Sequence, residues 1–125
     1  MKWSFSNDLP IYAQIIEQIK VGIVTGKFPL GERLPSVRDL AMEAGVNPNT
    51  MQRALAQLEQ EGIMYSQRTA GRFVTEDIAR VAEMKQELAY DHLHTFMSAM
   101  ERLSISREEA LAMLTAEYER KKEKE

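Results

Sequence analysis

Apolar residues recur along this chain in two rhythms, and the switches between them mark its elements. From Pro10, a favoured first helical residue, Tyr12, Ile15, Ile16, Ile19 and Ile23 fall at threes and fours. That spacing predicts a helix with one face in the core, ended by Gly26. Lys27-Phe28-Pro29-Leu30-Gly31 is turn chemistry with two apolar anchors, leading into Glu32-Arg33-Leu34, where a brief strand fits. Ser36 then offers its hydroxyl to the first turn of a second helix with Val37, Leu40 and Ala41 on its inner face, and Asp39 favours its positive end. Gly45 supplies the left-handed residue that reverses the chain, and Val46 plugs the gap before the next helix.

That third helix has a well-marked start, because Asn47 can cap it and Pro48 occupies its first position. At 100° per residue Met51, Leu55 and Leu58 gather on one side, with Asn49, Arg53, Ala56 and Gln60 opposite and Thr50 and Gln52 flanking. Gly62 stops it. Residues 63–66 and 72–74 read as strands around the five-residue loop 67–71, which makes a hairpin. At the other end, Trp3 and Phe5 alternate with polar neighbours, as in a short strand or an arm laid on the core; the run is too short to decide.

Two short helices, a tight turn and a hairpin in succession predict a winged helix-turn-helix, which presents its third helix to the major groove of DNA. The expected fold is therefore mainly α with a small β-hairpin. Residues 1–76 would form this domain. After Thr75-Glu76 the chain turns to charged helix, with Ile78, Val81, Ala82, Met84, Leu88, Leu93, Phe96, Met97, Met100 and Leu103 at threes and fours. Ser104-Ile105-Ser106 interrupts, and Ser106 with Glu109 forms a capping box before Leu111, Leu114 and Tyr118. Whether residues 77–103 are one helix or two is open. Two such helices cannot bury their apolar sides on each other alone, so residues 77–125 are expected to be a short two-helix dimerisation region with a flexible charged tail. Val81, Leu88, Phe96, Met100, Leu111 and Leu114 are the candidate interface residues.

Charge refines this picture. The net formal charge of −3 over 125 residues argues against coating DNA through bulk positive potential. Residues 1–76 carry 8 basic and 8 acidic side chains and residues 77–125 carry 8 and 11, so the acidic excess is C-terminal. A DNA surface must be local, built from Arg33, Arg38, Arg53, Arg68 and Arg72, with weak, salt-dependent nonspecific affinity. With no cysteine, disulfides, thiolate metal sites and thiol switches are excluded. No run approaches the ~18 apolar residues of a membrane span, and the polar start lacks a signal peptide's apolar stretch. A cytoplasmic protein without membrane contact is expected.

Other chemistry reads weakly. His92 and His94 lie at i and i+2, about 200° apart on a helix, so both cannot reach one ion and no metal is expected. Met84, Met97, Met100 and Met113 suit packing better than a ligand pocket. There is no Gly-rich phosphate loop, zinc-helix motif or nucleophile elbow, so neither catalysis nor a cofactor is expected.

The string Gly26-Lys27-Phe28 with Gly31, Leu34-Pro35-Ser36-Val37-Arg38-Asp39-Leu40-Ala41, Val46-Asn47-Pro48-Asn49-Thr50, and Glu61-Gly62-Ile63 through Gly71-Arg72-Phe73-Val74 closely resembles the DNA-binding domain of GntR-family bacterial transcription regulators. Asn-Pro-Asn-Thr in the turn and a C-terminal part of only two helices are similar to the short YtrA-type branch. Members of that branch are dimeric and often repress operons that include ABC-transporter genes. The resemblance implies that Arg38, Asn47, Asn49, Thr50, Gln52 and Arg53 face DNA and that Arg33 and Ser36 sit near phosphates. Pro48 stands where many members have an arginine. The usual wing has a glycine near Thr69 and a basic residue near Ala70; here Arg68 and Arg72 flank the tip instead.

The function these features imply is a homodimeric repressor that binds an inverted-repeat operator in double-stranded DNA. The alternative is a winged-helix protein–protein interaction module without DNA binding, which the acidic net charge favours and the basic, amide-rich helix face opposes. A third reading has the C-terminal helices sense a small-molecule effector directly.

Overall fold

The computed structural model describes residues 1–124 and orders them as α1 (Ile11–Val24), α2 (Val37–Ala44), α3 (Pro48–Gln60), β1 (Met64–Gln67), β2 (Gly71–Val74), α4 (Ile78–Arg102) and α5 (Arg107–Lys124). The chain divides into two compact units, Met1–Gln86 and the segment from Glu87 onward, so the division falls inside α4. Residues 78–102 form one helix. No helix among the described residues is long and apolar enough to cross a membrane.

In the first unit α1, α2 and α3 pack around Ile15, Ile19, Leu40, Met51, Leu55 and Leu58, each almost wholly shielded, and Ile63, Met64, Val74 and Met84 complete that core. Each helix start follows from its first residues. The Ser36 hydroxyl accepts the Asp39 N–H at 3.1 Å, and the Asn47 side-chain oxygen accepts the Asn49 N–H at 2.7 Å. Pro10 stands just outside α1 as its cap, with its carbonyl already accepting the Gln14 N–H. Gly45 closes α2 at φ 70°, a left-handed conformation in which a side chain would be strained.

The segment before α1 is an extended arm whose backbone pairs with glutamine side chains in place of a neighbouring strand. Gln14 accepts the Ser6 N–H at 2.8 Å and donates to the carbonyls of Ser6 and Leu9, while Gln18 accepts the Ser4 N–H and donates to the Ser4 carbonyl. Gln14 is buried on this account, a polar residue that apolar periodicity alone leaves out of the core. Trp3 and Phe5 stack on each other, ring centroids 6.1 Å apart.

β1 and β2 pair antiparallel from Met64↔Val74 to Gln67↔Gly71. The strands therefore run closer to the tip than the sequence pattern suggests, leaving a three-residue loop, Arg68-Thr69-Ala70. Arg33 bridges to Phe73, and the Leu34 N–H bonds the Arg72 carbonyl while Glu32 accepts from the Val74 N–H, so the brief strand expected at 32–34 is reduced to a single-residue bridge on β2 and the sheet itself has two strands.

In the second unit α4 ends where Ser104 takes φ 58° and the Ile105 N–H returns to the Met100 carbonyl; Ser106 then caps α5 through the Glu109 N–H at 3.1 Å. Phe96, Met100, Ile105 and Ala110 are half-buried around this turn, but α5 buries none of its described residues.

Candidate nucleic-acid interface

The polar side of α3 faces solvent. Asn47, Asn49, Gln52 and Arg53 are exposed across its first two turns, whereas Thr50 is half-buried, and Met51, Ala54, Leu55 and Leu58 lock the opposite side into the core. Asn49 and Arg53 lie one turn apart on a single stripe, the spacing at which two side chains reach the same groove. Arg38 projects from α2 and is exposed, and no ion pair or hydrogen bond engages its side chain among the described residues. These six residues share one unit, and each is carried by an element whose inner side is anchored.

A second group converges beside α2. Arg33, Ser36, Arg68 and Arg72 line one open cleft of about 340 Å³ between the wing and the start of α2, together with Pro35, Ser66, Gln67 and Gly71. Gly71 is required here, for its φ is 105° and a side-chain carbon would sit 3.0 Å from Arg33 Nε. The cleft brings together four positions that lie up to 39 residues apart in sequence and gathers three guanidinium groups around it, an arrangement suited to a phosphate chain.

Arg72 is differently placed from its neighbours. Its Nε lies 3.3 Å from Glu59 Oε1 on the last turn of α3, and the Ser66 hydroxyl donates to the same carboxylate oxygen. The Ser66 hydrogen bond, the largest effect, lowers the Glu59 carboxyl; burial opposes it, and the hydrogen bond and charge of Arg72 add to the lowering and leave it below the usual carboxylate range. Glu59 thus ties both wing strands to the recognition helix. Glu61 plays the matching part behind it: Lys20 Nζ approaches its carboxylate at 2.9 Å and Gln57 donates at 3.0 Å, while Arg80 donates to its backbone carbonyl at 3.0 Å. Burial pushes this carboxyl up, yet the hydrogen bonds from Gln57 and Lys20 and the charges of Lys20 and Arg80 outweigh it and leave it lowered. α1, α3 and the start of α4 meet at that one residue.

Arg53 also has a companion that helical spacing does not reveal. Its Cζ sits 4.9 Å from the centroid of the Tyr12 ring on α1, and no carboxylate pairs with it among the described residues. Of the other candidate positions, Val81 falls in the first unit and is half-buried; Leu88, Phe96 and Met100 are half-buried in the second, and Leu111 and Leu114 are exposed there. Leu93, Met97 and Tyr118 are exposed apolar residues of the same unit. His94 stacks on Tyr90, and no group of three metal-ligating side chains occurs among the described residues.

Known proteins share this architecture. The family model described as "Bacterial regulatory proteins, gntR family" matches residues 11–74. The HTH-type transcriptional regulator YhcF of Bacillus subtilis is 38% identical over 107 residues, 86% of this chain and 88% of that one. The HTH-type transcriptional repressor YtrA of the same organism is 44% identical over 68 residues, 54% of this chain and 52% of its own. Among solved structures, a GntR family transcriptional regulator from Listeria monocytogenes superposes with a TM-score of 0.83 at 39% identity, covering 90% of this chain and 98% of that one. The DNA-binding domain of AraR, solved in complex with an operator, matches 60% of this chain and 96% of its own at 30% identity and a TM-score of 0.54. A capped, solvent-facing third helix, a wing beside it and a family model that spans both lead to one conclusion: the chain belongs to the GntR family of bacterial transcriptional regulators, with a winged helix-turn-helix DNA-binding domain, and the relatives it matches are transcriptional regulators.

Proposed function

We propose that this regulator is a homodimeric repressor whose two α3 helices enter successive major grooves of an inverted-repeat operator. The exposed stripe of Asn49 and Arg53 on α3, flanked by Gln52 and Arg38, is the observation that carries the DNA reading. An amide and a guanidinium are the groups that bond adenine and guanine bidentately. Arg33, Ser36 and Arg68 in the cleft grip the phosphates beside the groove and set the register of the helix. Asn47 is first a cap, Thr50 supports the stripe from its edge, and Arg72 joins the phosphate contacts while remaining tied to Glu59.

Dimerisation rests on the second unit. No residue from Glu87 onward among those described is buried, and Leu93, Met97, Leu111 and Tyr118 on the helices and Leu103 in the turn between them expose apolar surface. An identical chain covers such surface by two-fold symmetry, and Val81, Leu88, Phe96, Met100, Leu111 and Leu114 supply the contact. Occupation of promoter DNA represses, and a small-molecule effector or other condition that changes the separation of the two DNA-binding units induces. The name of YtrA as a repressor supports the sign of regulation, and similarity to the short branch points to a transporter operon as target.

Selection from a pool of random duplexes tests this. Retained DNA is expected to converge on an inverted repeat within several rounds. Absence of enrichment at low salt, with folded and dimeric protein, would move the assignment to the protein-interaction module.

A further inference from the structure

Resting on the reading of Arg53 as a DNA contact, we infer that Tyr12 is a positioning residue for it: the Tyr12 ring holds the Arg53 guanidinium in its reading orientation before DNA arrives. Tyr12 is in the first turn of α1 and Arg53 in the second turn of α3, 41 residues later, and the two meet with Cζ 4.9 Å from the ring centroid. Tyr12 is half-buried and belongs to α1, whose buried residues Ile15, Ile19 and Ile23 anchor that helix in the core, so the ring stands on a fixed backbone. Arg53 itself is exposed.

The chemistry of the hold matters. A carboxylate partner would fix Arg53 equally well but cancel the charge that draws it to DNA. An aromatic face attracts the cation without neutralising it and takes up no hydrogen-bond acceptor that would compete with a base, so the guanidinium keeps its charge and donors for DNA. An arginine already ordered loses less freedom on binding, which raises affinity for the matching base. Because Asn49 lies one turn away on the same stripe, fixing Arg53 also fixes the distance between two reading groups. A lysine at position 53 would keep the charge but lose the fork.

The experiment uses the full chain and the duplex obtained by selection, with a scrambled duplex as control. In the free wild-type protein, NMR relaxation of the arginine Nε–H groups is expected to report Arg53 as more ordered than Arg38. Tyr12→Leu should weaken operator binding by about three- to tenfold with little change on scrambled DNA. Tyr12→Phe should restore it, and Tyr12→Leu should add nothing in an Arg53→Ala background. An Arg53 Nε–H as mobile as that of Arg38 overturns the inference without recourse to any variant. So does additive loss in the double variant, or a Tyr12→Phe as weak as Tyr12→Leu, which would assign the effect to the phenol hydroxyl. Arg53→Ala with unchanged operator binding is a separate result, and it would remove the DNA-contact reading itself.

Discussion

Arg38 and Arg53 carry the same charge on consecutive helices of the helix-turn-helix but are held differently, and that difference predicts different losses. Arg38 has no side-chain partner among the described residues, whereas Arg53 rests on an aromatic ring. Arg38→Ala is expected to weaken binding to operator and scrambled DNA alike and to reduce the salt dependence by about one released counterion. Arg53→Ala should cost ~1–3 kcal/mol on the operator and relax the sequence preference at one position of each half-site. Fluorescence anisotropy across a salt series, on both duplexes, separates the two. The exposed stripe holding Arg53 follows from helical spacing alone, as do the caps at Ser36 and Asn47, because both are local in sequence. Tyr12 beneath Arg53 and Glu59 beside Arg72 do not, since each contact depends on how separate elements pack. Gln14 shows the same limit from the other side: it is buried because the arm returns to it, and no property of glutamine signals that.

At the scale of elements, the orientation of α3 relative to the wing and to α1 depends on two carboxylates at its C-terminal end. Glu59 joins β1 and β2 to the helix through Ser66 and Arg72, and Glu61 joins α1 and α4 through Lys20 and Arg80. Both carboxyls are lowered from the ordinary value of 4.5, so their folded values lie below their unfolded ones. The stability they contribute is therefore present above about pH 4.5 and is lost as pH falls through the lowered folded values. Glu61→Gln is expected to reduce the midpoint of thermal unfolding by a few degrees at pH 7. That deficit should shrink as the pH falls from 4.5 through the lowered folded value, where the wild-type carboxylate takes up its proton. A deficit of constant size from pH 7 to pH 3 would mean that the charge on Glu61 contributes nothing. The element boundaries were readable to within a residue or two, with Gly45 and the Asn47-Pro48 pair marking the sharpest turn. The wing strands extend one residue further than their apolar pattern because Gln67 and Gly71 pair through backbone groups that side-chain character does not encode.

For the whole molecule, the charge distribution and the uncovered second unit act together. An acidic chain with a balanced N-terminal part gains little from long-range attraction to DNA, so in the proposed dimer affinity comes from two copies of a small, local basic surface acting at once. Charging the exposed apolar face with the pair Leu111→Glu and Leu114→Glu is expected to yield a monomer in sedimentation while leaving the N-terminal unit folded. Its operator affinity should drop at least ~10-fold, since the second half-site would no longer be bound intramolecularly. A dimeric double variant with unaltered affinity would place the interface elsewhere. The exposed apolar surface of the second unit was legible in the sequence as apolar positions in excess of what two helices can bury on each other; the continuity of α4 as a single helix through residue 102 was not, because no Gly, Pro or cap marks that stretch either way.

The central claim is that one dimer reads one inverted repeat through two copies of α3, and a hydroxyl-radical footprint of the complex on the selected duplex tests it most directly. Two protected patches are expected on the same side of the helix, related by two-fold symmetry and separated by about ten base pairs or a multiple of that spacing. A single protected patch from dimeric protein, or protection that does not follow the symmetry of the sequence, would contradict it.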